Sequence, residues 1–201
     1  MKKRILLFLF ITLQITLFHH VLALAKAPEN NFLVATEKMN DNRFKKTVIA
    51  MLENDEDGAW GLVINKPMGS IPLAMLIDPA LNTSDEREKL YGINILIHWG
   101  GPVEVKKIFV LHSSEYQSES TKNYDSISIS QDYNILLDIA ANKGPKKSLV
   151  ILGYSGWGRG QLEGEMERDD WILSDIDLNI VFDEKSNTKW NKAFKKSFID
   201  T

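Results

Sequence analysis

The chain has 201 residues, 44% apolar and 25% charged, a balance that fits one ordinary hydrophobic core and excludes a fibrous or disordered class. It has no cysteine, which removes disulfides, thiolate metal sites and thiol catalysis. A formal net charge of −3, with no zinc spacing and no basic region followed by heptads, gives no strong signal for nucleic acid.

Residues 1–25 differ in kind from the rest. Lys2-Lys3-Arg4 is followed by an apolar run from Ile5 to Phe18 and by Ala23-Leu24-Ala25 ahead of Lys26. That order predicts a secretory signal peptide, and hence an exported, periplasmic chain. Counting on to Ala25 approaches the roughly 20 residues of a spanning helix, so an uncleaved anchor is the membrane alternative. A misassigned start codon, with a cytoplasmic protein, is the other. Cleavage would take three of 24 basic groups and no acidic one, leaving 21 against 27 and a net charge of −6.

Residues 26–201 read as a single domain, without repeats or a linker. Asn31 to Thr36 and Thr47 to Glu53 are predicted strands, and the turn residues Asn54 to Gly58 fold the second onto a third, Ala59 to Asn65, as a hairpin. Ser70 ahead of Ile71 to Ile77 predicts a short capped helix with Pro72 in its first turn. Asn82 to Lys89, polar and charged, predicts a surface loop. Asn94 to Trp99 and Lys107 to His112 are predicted strands joined as a hairpin through Gly100-Gly101-Pro102. A polar loop, Ser113 to Tyr124, precedes a strand at Ser126 to Ser130 and a helix at Asp132 to Asn142.

In the last third, Ser148 to Leu152 predicts a buried strand, Gly153 onward a tight glycine loop, and Gly160 to Asp169 a helix. A short apolar piece at Trp171 to Leu173, a strand near Leu178 to Phe182 and a helix from Ser186 to Phe198 complete the chain. Interleaved elements with several hairpins predict an α+β fold: a mixed, partly antiparallel sheet with helices packed on its faces, like a three-layer sandwich.

Gly153-Tyr154-Ser155-Gly156-Trp157 nearly spells the G-x-S-x-G elbow of a hydrolase, but Trp157 stands where the last glycine belongs. The bland reading, glycines that let the chain bend, is preferred for Ser155. Gln161 and Glu165 stand four apart on one helical face, while Leu162 and Met166 point to the sheet. His112 closes a strand, where a histidine most often takes a hydrogen bond at the core edge. No histidine or carboxylate spacing indicates a metal, and neither a cofactor nor a catalytic set is assigned. In the final helix, Lys189, Lys192, Lys195 and Lys196 alternate with Trp190, Ala193, Phe194 and Phe198, which predicts lysines in water over a docked apolar face.

Read together, Gly153-Tyr154 with Gly156-Trp157 and Gly160-Gln161-Leu162 with Glu165, joined by Gly100-Gly101-Pro102-Val103, Leu111-His112, Asn65-Lys66-Pro67 and Asp41-Asn42-Arg43-Phe44, resemble the motifs of the YqgE/AlgH family of bacterial proteins. Asn42 departs from the proline usual in the last motif. The resemblance runs from about Phe32 to Phe198 and implies an α+β fold on a mixed sheet, cytoplasmic location and no established cofactor or catalytic residues. A transcriptional-regulator label attaches to that family. The resulting expectation is a non-enzymatic binding or regulatory protein with an unidentified protein or small-molecule partner. Its candidate surface comprises Arg43, Asn65, Gly100, Gly101, Pro102, His112, Gly153, Gly156, Trp157, Gly160, Gln161 and Glu165. A hydrolase-like enzyme using His112, Ser155 or Glu165 is one alternative, and a nucleic-acid-associated regulator the other.

Overall fold

The computed structural model describes residues 31–77 and 84–199, and the predicted leader lies outside them. β1 (Asn31–Ala35), β2 (Val48–Asn54) and β3 (Gly58–Val63) form an antiparallel meander. The Asp55 carboxylate accepts the amides of Asp57 and Gly58 and so closes β2 onto β3. β4 (Pro67–Pro72) pairs with β5 (Asn94–Trp99), and β6 (Val103–Ser113), β7 (Lys122–Tyr124) and β8 (Ile127–Ser130) make a second antiparallel group. β9 (Ser148–Gly158) joins the two groups: its first half lies between β5 and β6, and its second half pairs with β3. β10 (Trp171–Asp175) runs along the outer side of β1. The curled sheet is mostly antiparallel, with β5 and β9 parallel, so the α+β class with a mixed sheet is what the chain adopts.

Both sheet faces are buried, which is why these strands read as nearly continuous apolar runs. Phe32 and Val34 point to one side with Leu62, Phe109 and Ile151, where Trp190 and Ala193 of α4 (Ser186–Lys196) cover them. Leu33 and Ala35 point the other way, with Met51 and Trp157, and meet Leu162 of α3 (Gln161–Glu167). Ile97, Val110 and Val150 form a third cluster under Ile135 and Leu136 of α2 (Asn134–Ala140).

Several local expectations change. Ser70 caps no helix: the chain stays extended through Pro72 (φ −59°, ψ 135°) and only Leu73–Met75 winds into a single 3₁₀ turn. Proline suits such an edge strand, because it removes a donor that has no partner. The charged segment predicted as a loop is instead α1 (Ser84–Tyr91), made of straight-chain helix formers whose lack of an apolar stripe hid it. The apolar segment at residues 178–182, expected as a strand, forms a π-helical turn, Asn179–Asp183, opened by Asp177, whose carboxylate accepts the Asn179 amide. Lys189 is not in water. Its side chain is buried and its ammonium donates to the Val181 carbonyl, and burial pulls its pKa down to about 8.

Candidate functional site

The predicted glycine loop after Leu152 is strand, and Gly100-Gly101-Pro102 is not a hairpin turn. β5 and β6 do not pair with each other; β9 lies between them, and the segment linking them passes directly over the β9 backbone. A Cβ on Gly101 would lie 2.2 Å from the Tyr154 carbonyl, and one on Gly100 would lie 2.1 Å from the Gly153 oxygen. Side chains cannot occupy that crossing. The buried Ser155 hydroxyl fastens it, donating to the Gly100 carbonyl over 3.1 Å. Gly153, at φ 71°, also changes the register of faces: Ile151 and Tyr154 pack into one cluster, while Trp157 turns to the other.

Beyond the crossing, β9 leads into α3, and Glu165 ties the two together. One of its carboxylate oxygens accepts the indole N–H of Trp157 and of Trp171, each at 2.8 Å, and the other accepts the Gln161 amide at 3.0 Å. The Gln161 carbonyl oxygen accepts the Gly158 amide at 3.2 Å, closing the circuit at the start of α3. Gly160 precedes that helix at φ 73°, in open space.

Facing this circuit is the segment from Lys38 to Phe44. Asp41 accepts both the backbone amide and the guanidinium of Arg43, which holds its carboxyl below the usual range, chiefly through the side-chain hydrogen bond. Phe44 packs on Trp99 and edge-on to Trp171, with ring centroids 5.4 and 5.7 Å apart. Asn65 acts from behind: its side chain accepts the Val48 amide and donates to the Lys46 carbonyl, while the neighbouring Lys66 ammonium donates to the Arg43 carbonyl at 2.7 Å. Burial lowers the pKa of Lys66.

Between these parts lies a cleft of about 660 Å³. Of the residues singled out in the sequence, Arg43, Pro102, Gly156, Trp157, Gln161 and Glu165 line it. Gly100, Gly101 and Gly153 form the crossing at its back, and Asn65 braces one wall. His112 belongs elsewhere. It pairs with Ser148 at the opposite end of β9, fully buried, with its ring nitrogens on the Ser113 carbonyl (2.9 Å) and the Ser130 hydroxyl (3.0 Å). Burial lowers its pKa. Ser155 and His112 therefore form no nucleophile–base pair. Among the described residues no group of three or more histidine, aspartate or glutamate side chains is placed to hold a metal ion.

Sequence reasoning missed Lys38, Arg168 and Trp171, which also line the cleft. The readable signal for Trp171 was its apolar, aromatic start to a short strand six residues after Glu165. Lys38 and Arg168 carried none, because each is an exposed cation paired with a neighbouring aspartate, Asp169 and Asp170 respectively.

Residues 32–201 match a family model described as AlgH-like. A UPF0301 protein of Methylococcus capsulatus is 37% identical, the match covering 82% of this chain and 88% of that one. A UPF0301 protein of Ruegeria pomeroyi is 39% identical, with 84% and 90% covered. The solution structure of the AlgH protein from Pseudomonas aeruginosa is similar with a TM-score of 0.69 at 35% identity, covering 84% of this chain and 87% of its own. A crystal structure from Corynebacterium diphtheriae, at 16% identity and a TM-score of 0.60 over 83% and 84% of the two chains, shares the fold.

Proposed function

We propose, for a chain that belongs to the AlgH-like family, a non-enzymatic binding function carried by the cleft between the Lys38–Phe44 segment, the end of β9 and α3. The supporting observation is the convergence of separate segments on one cavity whose polar side chains are committed to one another. Glu165 holds two indoles and an amide, and Ser155 donates to a backbone carbonyl, which favours a rigid receptor over a reactive centre. Phe44, Trp157 and Trp171 supply apolar faces, and Lys38, Arg43 and Arg168 supply cations whose pairing with Asp169, Asp41 and Asp170 a ligand's anionic group would have to replace. Such a cleft suits a ligand with an apolar body and an anionic group.

Mass spectrometry of molecules retained by gently purified native protein is the test. A retained species lost from a folded Arg43→Ala/Arg168→Ala variant is expected; retention unchanged by that variant would reject the cleft as the site. Export remains attached to this reading as a proposal resting on residues 1–25, and N-terminal sequencing of the protein from separated cell fractions decides it.

A further inference from the structure

The crossing over β9 has a second product on the other side of the sheet. Val103 faces Tyr154 and Ile108 faces Leu152, so β6 advances five residues while β9 advances two. The surplus bows away from the sheet, with Glu104 at φ 43°, and leaves a cavity of about 590 Å³ beside the β2–β3 hairpin. Gly156 and Trp157 line this cavity as well as the cleft, so a single strand separates the two spaces.

One wall is aromatic. Trp60, Phe109 and Tyr154 form a triangle with centroid separations of 5.7, 5.8 and 6.0 Å. Trp60 and Tyr154 are only half-buried, and the Tyr154 hydroxyl makes no hydrogen bond to any described residue. Glu53, which faces Trp60 across the hairpin, accepts the Trp60 indole N–H and the Tyr124 hydroxyl, each at 2.9 Å. The Trp60 bond leads the contributions that keep the Glu53 carboxyl below its ordinary range, so it is anionic at neutral pH. Asp55, Asp57 and Glu104 add three further carboxylates to the lining, against the two ammonium groups of Lys107 and Lys122.

The chain already places two cations here, one of them the Lys122 ammonium, 3.6 Å from the Glu53 carboxylate. The Lys107 ammonium lies 5.5 Å from the centre of the Phe109 ring and 3.2 Å from the Glu104 carboxylate. Aromatic faces and a surplus of carboxylates attract positive charge, whereas an anion would be repelled and a wholly apolar ligand would strip water from Glu53 without compensation. We propose that this cavity is a binding site for an organic cation, a guanidinium or alkylammonium group that stacks on Trp60 and Tyr154 and pairs with Glu53. In that arrangement Lys107 and Lys122 are internal competitors, Lys107 on the aromatic wall and Lys122 at Glu53, until a ligand displaces them. The group can come from a free amine or from a basic side chain of another protein.

The test is a titration of the full-length protein followed through the indole N–H NMR signal of Trp60, with agmatine and the N-acetylated, C-amidated tripeptides Gly-Arg-Gly and Gly-Glu-Gly as probes, capped so that neither peptide carries a terminal ammonium. Saturable shifts with agmatine, with Gly-Arg-Gly or with both are expected, and none with Gly-Glu-Gly; preference between the two cations separates a metabolite source from a protein source. Glu53→Gln, which can still accept the Trp60 indole, is expected to weaken binding about tenfold. Lys107→Ala, at an exposed position, is expected to tighten it about threefold by removing one of the two competitors. Circular dichroism of both variants checks that they remain folded. No saturable shift with either cation, equal binding by Glu53→Gln, weaker binding by Lys107→Ala, or an equal response to Gly-Glu-Gly would each overturn the proposal.

Discussion

Individual atoms decide where this chain tolerates change. At Gly101 a methyl group would overlap the Tyr154 carbonyl at 2.2 Å, and the backbone sits at φ 150°, so neither neighbour can give way. Gly101→Ala is expected to cost about 3 kcal/mol or more, measured by urea unfolding. Gly156 is different. A methyl there would first meet the edge of the Tyr154 ring at 3.1 Å, a side chain that can shift by tenths of an ångström. Gly156→Ala is expected to change stability by under about 1 kcal/mol, and comparable losses at the two positions would refute the crossing as the reason for Gly101. Composition alone could not separate these glycines, because the distinction lies in what passes across each one. Asn65 was more legible, since a short amide side chain at a strand end has few uses other than bonding nearby backbone, and it spans Lys46 to Val48.

Among the elements, α3 depends on one carboxylate more than on its own length. Its seven residues are too few to be stable alone, and Glu165 pins it to Trp157 of β9 and Trp171 of β10. Glu165→Ala leaves two largely buried indole N–H groups without partners and is expected to cost about 2–4 kcal/mol, with a change in tryptophan fluorescence. Glu165→Gln, which keeps an acceptor, should cost clearly less; equal losses would show that the carboxylate is not the tie. Strands were readable wherever apolar and β-branched residues clustered, as in Val48–Asn54 and Asn94–Trp99. Glycine misled the reading of Ser148–Gly158, because its usual meaning, a turn, was displaced here by close approach of another backbone. The cleft was half legible on the same grounds. Motifs pointed to Arg43, Trp157, Gln161 and Glu165, but the folding that brings Lys38 to Asp169, 131 positions away, leaves no trace in local sequence.

For the whole molecule, two buried histidines set the response to acid. Burial lowers the pKa of His98 and of His112, and the charge of nearby Lys189 adds to the effect at His98. The unfolded chain takes up these protons near pH 6.5, before the folded one does, so stability is complete above that value and declines as pH falls below it. Urea unfolding at pH 7.5 and pH 5.5 is expected to show a loss of about 1–2 kcal/mol, and His112→Gln should shrink it. A flat profile would mean that both rings accept the proton in place. The position of β9 carries a consequence for synthesis as well. Strands 94–99 and 103–113 precede in the chain the strand that belongs between them, so neither can make its native pairing with β9 until residues 148–158 have been synthesised. A product truncated before β9 lacks the strand that joins its halves, and any β5 or β6 formed in it would present an unpaired edge, a template for aggregation.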